Sequence, residues 1–172
     1  MINEIKGDLL KEVTNGIIVH GCNAQGVMGS GFAKQLKETY PEAYNAYREH
    51  YKENYAGKNI LRLGECIGAL VTPDILVINA VTQQYYGRER KRYVDYDAVR
   101  KCFKQIAITA CRETERRMNN SNEHIQTFAE FAPSINFPMI GAGLGGGDWD
   151  IISQIIDEEI PDDFQKNLWV LP

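Results

Sequence analysis

Apolar residues in this chain occur as short β-branched runs set between longer stripes of helical period. Gly16-Ile17-Ile18-Val19-His20 is one such run, bounded by Gly16 and Gly21, and predicts a buried strand. Residues 63–71 and 75–80 carry strand signals divided by Thr72-Pro73-Asp74, and residues 2–6 alternate weakly before a turn at Gly7-Asp8. The pattern then predicts a helix over 32–39 that stops before Pro41, and a second over 42–54 with Tyr44, Tyr47 and Tyr51 on one stripe. A long helix follows over 95–117, its apolar face formed by Val99, Cys102, Phe103, Ile106 and Ala110. Asn119-Asn120-Ser121-Asn122 breaks the pattern as a surface loop, and residues 123–132 fit neither template. A strand over 135–140, a helix over 148–160 and a strand over 168–171 complete the chain, with Pro138 marking an edge or a non-donating position. Alternation of strands and helices predicts an α/β protein with a largely parallel sheet and helices on both faces.

Length and composition fit that picture. With 172 residues, 44% of them apolar and 24% charged, the chain is expected to form a single domain, 1–172, with its own core. No apolar run reaches the ~18 residues of a membrane span, and Met1 to Lys6 lacks the features of a secretion signal, so a cytoplasmic location is expected. A net charge of −4 argues against general nucleic-acid binding and leaves only a local patch for such a partner. Cys22, Cys66, Cys102 and Cys111 include no CxxC pair and read as reduced, mostly buried thiols. His20, His50 and His124 share no ligand spacing, so neither a metal nor a cofactor is expected.

The glycines carry the chemistry. Of 15, four lie in residues 21–31 and five in 141–147, each cluster after a predicted strand and before a predicted helix. Backbone can approach a ligand closely there, and a helix N-terminus offers free N–H groups to an anion. Two such loops at the carboxyl ends of strands form a better signal than one, although both could also be structural turns. Gly141-Ala142-Gly143-Leu144-Gly145-Gly146 matches G-x-G-x-x-G, but one helix and one strand after it leave no room for a dinucleotide fold. Two amide-rich loops able to clasp a diphosphate remain.

His20 ends the first strand beside one loop and reads either as a satisfied core histidine or as an acid–base group near its ordinary pKa of about 6.5. Asn23 can donate to and accept from a ribose hydroxyl pair. The run Arg88-Glu89-Arg90-Lys91-Arg92 is either a solvated face or a lid over a distal phosphate. Asp148, directly after the second loop, reads as a helix N-cap or as a carboxylate near that phosphate.

Gly7-Asp8-Leu9-Leu10, Asn23 to Ala33 and Gly141 to Gly146 together resemble the opening and the two ligand loops of a macro domain. His20-Gly21-Cys22-Asn23, Gly29-Ser30-Gly31-Phe32-Ala33 and Leu36 through Tyr40-Pro41 are most similar to its ADP-ribose-1″-phosphate phosphatase branch. The resemblance covers about residues 2–118 and 134–171. It implies a three-layer α/β/α sandwich around a mixed, mostly parallel sheet, with ADP-ribose or its 1″-phosphate bound by a monomer. It also implies a metal-independent phosphoric monoester hydrolase in which Asp8 and Leu9 meet adenine. Asn23 would hold the distal ribose, Gly29, Ser30, Gly31, Phe32 and Ala33 one phosphate, and Gly141, Ala142, Gly143, Leu144 and Gly145 the other. His20, Asn23 and Asp148 would carry the chemistry. Trp169 is the one aromatic residue in the closing segment where the family's adenine-stacking residue falls, and no lysine stands in 82–86 where the deglycosylating branch has one. An ADP-ribosyl hydrolase and a non-catalytic ADP-ribose reader are the alternative readings.

Overall fold

A computed structural model describes residues 1–56, 60–122 and 127–172. The strand begun by the β-branched run, β2 (Gly16–Asn23), is buried along almost its whole length. Both its faces must therefore be covered, which places it inside the sheet. Its neighbours are β4 (Ile75–Gln83) and β5 (Ile135–Phe137), both parallel to it. Outward from β5 lie β6 (Lys166–Val170) and β1 (Asn3–Lys6), also parallel. On the other edge β3 (Cys66–Thr72) runs antiparallel to β4, so the order is β1-β6-β5-β2-β4-β3.

Side-chain alternation along β2 and β4 sends successive residues to opposite layers. Ile17, Val19, Ile78 and Ala80 pack with Phe137 against α4 (Tyr96–Asn119), through Val99, Phe103 and Ile106, and against α6 (Trp149–Glu159), through Ile152 and Ile156. Ile18 and Val77 face the other way, onto Leu9 and Leu10 of α1 (Leu9–Glu12), Leu36 of α2 (Gly31–Thr39) and Ala43 of α3 (Pro41–Ala56). Cys22 and Val81 pack with Tyr47 of α3. The result is the expected α/β/α sandwich, with a short helix, α5 (Phe128–Phe131), added beside α4.

Several boundaries differ from the pattern-based expectation, among them that of β4, which runs to Gln83 rather than to residue 80. The 16–20 strand runs on to Asn23, and the 135–140 strand ends at Phe137. Pro138 thus falls after an interior strand, where its missing N–H costs no ladder bond. The turn at Gly7-Asp8 leads straight into α1, whose N-cap is Asp8, with Oδ1 accepting from Leu10 N–H at 3.1 Å. Of the unassigned stretch 123–132, residues 123–126 lie outside the described residues. No helix among the described residues is long and apolar enough to cross a membrane.

Candidate functional site

The C-terminal ends of β2, β4 and β5 open together into a cavity of ≈ 580 Å³. That is the crevice in which open α/β sheets bind ligands, and its volume suits a small molecule. Its walls are the two glycine loops. In the first, Asn23 organises the chain: Oδ1 accepts from Gln25 N–H (3.0 Å), Val27 N–H (3.3 Å) and the Tyr47 hydroxyl (3.0 Å), while Nδ2 donates to the Val27 carbonyl (2.7 Å). One Asn23 N–H therefore remains for a ligand. The loop ends at Ser30, N-cap of α2, whose side chain makes no capping bond. Gly31, Phe32 and Ala33, in the first turn, line the cavity, and their N–H groups have no acceptor within the helix.

The second loop is a knot of its own backbone. Gly147 N–H donates to the Gly141 carbonyl (2.8 Å) and Gly146 N–H to the Gly143 carbonyl (3.0 Å). A Cβ on Gly145 would come within 2.6 Å of the Gly141 oxygen, whereas one on Gly143 would meet nothing within 4 Å. Leu144, 53% exposed, reaches across so that its Cδ1 lies 3.8 Å from where a Cβ on Gly31 would sit. The two loops thus meet over the crevice.

His20 lies at the cavity but is 1% exposed. Its Nε2 is 2.6 Å from Asn79 Oδ1, and Asn79 Nδ2 donates to the carbonyls of Ala43 (3.0 Å) and Ile67 (3.1 Å). Those two donations fix the Asn79 oxygen as the acceptor, so His20 carries its proton on Nε2. Nδ1 is left buried with no partner. Burial lowers the imidazole pKa to about 4, against weaker raising contributions from the Asn79 bond and the Gly21 backbone. The expected acid–base group near pKa 6.5 is thus a neutral hydrogen-bond acceptor at neutral pH.

The structure brings together His20, Asn23, Gly29 to Ala33, Gly141, Gly143, Leu144 and Gly145. Four of the expected residues stand outside the cavity lining. Asp8 caps α1 and pairs with Lys11 Nζ at 3.0 Å, which holds its carboxyl below the usual range, and the Leu9 side chain packs into the core. Ala142 N–H is turned back to the Met139 carbonyl (3.3 Å). Asp148 caps α6, accepting from Asp150 N–H at 2.9 Å, as its N-cap reading has it. Trp169 is also elsewhere: its Nε1 donates to Asn136 Oδ1 at 2.9 Å.

Sequence reasoning missed Thr82 and Tyr86 as cavity residues, and it named Arg88 only within the run 88–92, as a solvated face or a lid. Cys22 pairs with Val81 but Asn23 pairs with Gln83, so Thr82 is the extra residue of a bulge. Its hydroxyl is buried without a partner. Following the 75–80 strand to its carboxyl end, where ligands of such sheets bind, was the available signal. Among the described residues, no Asp or Glu lines the cavity, and Arg88 is the one formally charged residue there. Among the described residues, no group of three or more His, Cys, Asp or Glu is placed to hold a metal.

The α/β fold thus sets two glycine loops around one cavity at the carboxyl ends of its strands. Residues 19–156 match the Macro domain family model, and the chain belongs to that family. It is 26% identical over 162 residues to an ADP-ribose 1″-phosphate phosphatase of Meyerozyma guilliermondii, spanning 87% of this chain and 88% of that protein. It is 29% identical over 168 residues to a Saccharomyces cerevisiae protein of the same name, spanning 91% and 92%. The solved structure of a protein of unknown function from Bacteroides thetaiotaomicron superposes with a TM-score of 0.76 at 27% identity, covering 100% of this chain and 98% of that one.

Proposed function

We propose that this chain binds ADP-ribose and hydrolyses ADP-ribose 1″-phosphate to ADP-ribose and inorganic phosphate. The observation that carries this reading is the likeness, over most of the chain, to two yeast proteins of that name, together with a cavity that has two amide loops and, among the described residues, no carboxylate. A cavity without acidic side chains suits a ligand with a diphosphate and a terminal phosphate. Amides of Gly29 to Ala33 and of Gly141, Gly143, Leu144 and Gly145 hold the diphosphate. The remaining Asn23 N–H meets the distal ribose, and Asp8 with the Leu9 N–H receives the adenine end beyond the cavity proper.

In the proposed reaction water adds to phosphorus, the bond from phosphorus to the ribose oxygen breaks, that oxygen takes a proton, and phosphate leaves. Such hydrolysis relies mainly on positioning and charge stabilisation. His20 Nδ1, with its lone pair free, orients and polarises the water. The chain's own amides and side chains supply the chemistry, so we infer a metal-independent reaction. The test is incubation with ADP-ribose 1″-phosphate and, separately, with an ADP-ribosylated protein, assaying phosphate and free ADP-ribose. Phosphate release from the first is expected. Release of ADP-ribose from the second alone makes the chain an ADP-ribosyl hydrolase, and binding without either product makes it a reader.

Asp8 gives a separable prediction. Serine keeps an N-cap oxygen, so Asp8→Ser should leave the melting temperature unchanged while weakening ADP-ribose binding about 10-fold through loss of a charge-assisted hydrogen bond. Asp8→Ala should also lose the cap, costing about 1 kcal/mol, or roughly 2–4 °C for a domain of this size. Calorimetric titration of Asp8→Ser at parental affinity removes Asp8 from the site.

A further inference from the structure

The geometry points to Arg88 as the residue that selects the 1″-phosphorylated ligand over ADP-ribose itself, an inference that rests on the function proposed above. Within the basic run 88–92 the side chains have different fates. Lys91 Nζ pairs with Glu89 at 3.0 Å and lies 5.1 Å from the centre of the Tyr93 ring. Arg92 stacks over Tyr96, 4.4 Å from the ring centre. Both are engaged in local packing. Arg88 has no ion-pair or hydrogen-bond partner among the described residues, and of the run it alone lines the cavity.

The segment that carries Arg88 is tied to both loops. Gln25 of the first loop donates from Nε2 to the Gln84 carbonyl at 3.0 Å. The Gly145 carbonyl of the second loop accepts from Tyr93 N–H (2.8 Å) and Val94 N–H (3.1 Å). Gly146 lies against Lys91 and Arg92, where an added Cβ would sit 2.5 Å from the Lys91 carbonyl oxygen. The loop that carries Arg88 is therefore held at both ends, beside the two places where phosphate oxygens would be held. The loop amides serve a diphosphate common to both ligands. A terminal phosphomonoester adds up to two further negative charges, and no other formally charged side chain among the described residues lines the cavity to meet them. A guanidinium can take two of its oxygens at once, which a loop of amides does not match in charge.

Steady-state hydrolysis of ADP-ribose 1″-phosphate, with ADP-ribose as competing inhibitor, tests the assignment. Arg88→Gln should lower kcat/KM about 10- to 100-fold while leaving inhibition by ADP-ribose within about twofold of the parent. Arg88→Lys, a point charge without the planar fork, should keep part of the preference. Unchanged kcat/KM in Arg88→Gln overturns the proposal, as does an equal loss for both compounds. If the parent releases no phosphate, the phosphatase reading fails by itself. Calorimetric titration of the two compounds then decides Arg88. A parental preference for the phosphorylated one that Arg88→Gln abolishes supports the selector, and a preference absent from the parent or retained in the variant overturns it.

Discussion

His20→Gln should lower phosphate release about 10²-fold while the protein stays folded. A positioned base contributes roughly 10²–10⁴-fold, most when its pKa lies near the working pH. His20 sits at the low end because burial brings its pKa to about 4, which leaves Nδ1 a ready but weak acceptor at pH 7. Glutamine can still donate to Asn79 Oδ1, as Nε2 now does, but offers no imidazole lone pair at the Nδ1 position. The acid limb of kcat/KM should accordingly fall with an apparent pKa near 4 rather than 6.5. His20→Ala should lose the same activity and stability as well, since it leaves the Asn79 oxygen unpaired in a buried place. Rates are to be measured from pH 3 to pH 9 on samples whose folded fraction is known. Parental turnover in His20→Gln would leave His20 a core residue only.

The same pKa has a consequence for stability. The unfolded chain takes up a proton at His20 near its ordinary pKa of about 6.5, whereas the folded chain does so only near 4. Between those values the unfolded state binds more protons, so stability is fully present above about 6.5 and falls as the pH drops toward 4. The loss over that window is on the order of 3 kcal/mol. Denaturant melts at pH 7 and pH 4.5 should show it, and His20→Gln should remove that part of the acid sensitivity.

What the sequence revealed follows from how locally each feature is determined. The central strands and the long helices are visible because burial on one or two faces writes itself into spacing, as in Ile17 to Val19 or Val99 to Ala110. The extension of β2 through Gly21, Cys22 and Asn23 was not, because none of these is a strong strand former and the ladder to β4 holds them. A four-residue α1 has too few turns to show a period. Asp148 was legible as a cap because its partner is two residues away. The bond between His20 and Asn79 joins residues 59 apart, and the pKa it accompanies depends on burial that no local pattern encodes. Thr82 and Arg88 entered the cavity through a bulge and a loop pinned to Gly145, both products of tertiary register.

Glycines of the second loop, alike in sequence, should divide sharply on substitution. Gly146 has φ +67°, and a Cβ there would stand 2.5 Å from the Lys91 carbonyl oxygen and 3.2 Å from Arg92 Cα, both backbone atoms. Gly146→Ala must shift the 88–92 segment as well as hold alanine in the left-handed region. Strain of about 1–2 kcal/mol and overpacking of about 1–3 kcal/mol should together lower the melting temperature by roughly 10 °C. Gly143 has no positive φ in this structure and its Cβ would meet nothing within 4 Å, yet it lines the cavity. Gly143→Ala should therefore melt with the parent, and Gly143→Val should do so too while filling space the ligand needs. Its affinity for ADP-ribose should fall at least 10-fold, since the backbone can no longer approach the diphosphate closely. Thermal melts with calorimetry on the same preparations check both halves. A Gly143→Val protein that binds ADP-ribose as the parent does would remove the second loop from the diphosphate site, whatever Gly146→Ala does to the fold.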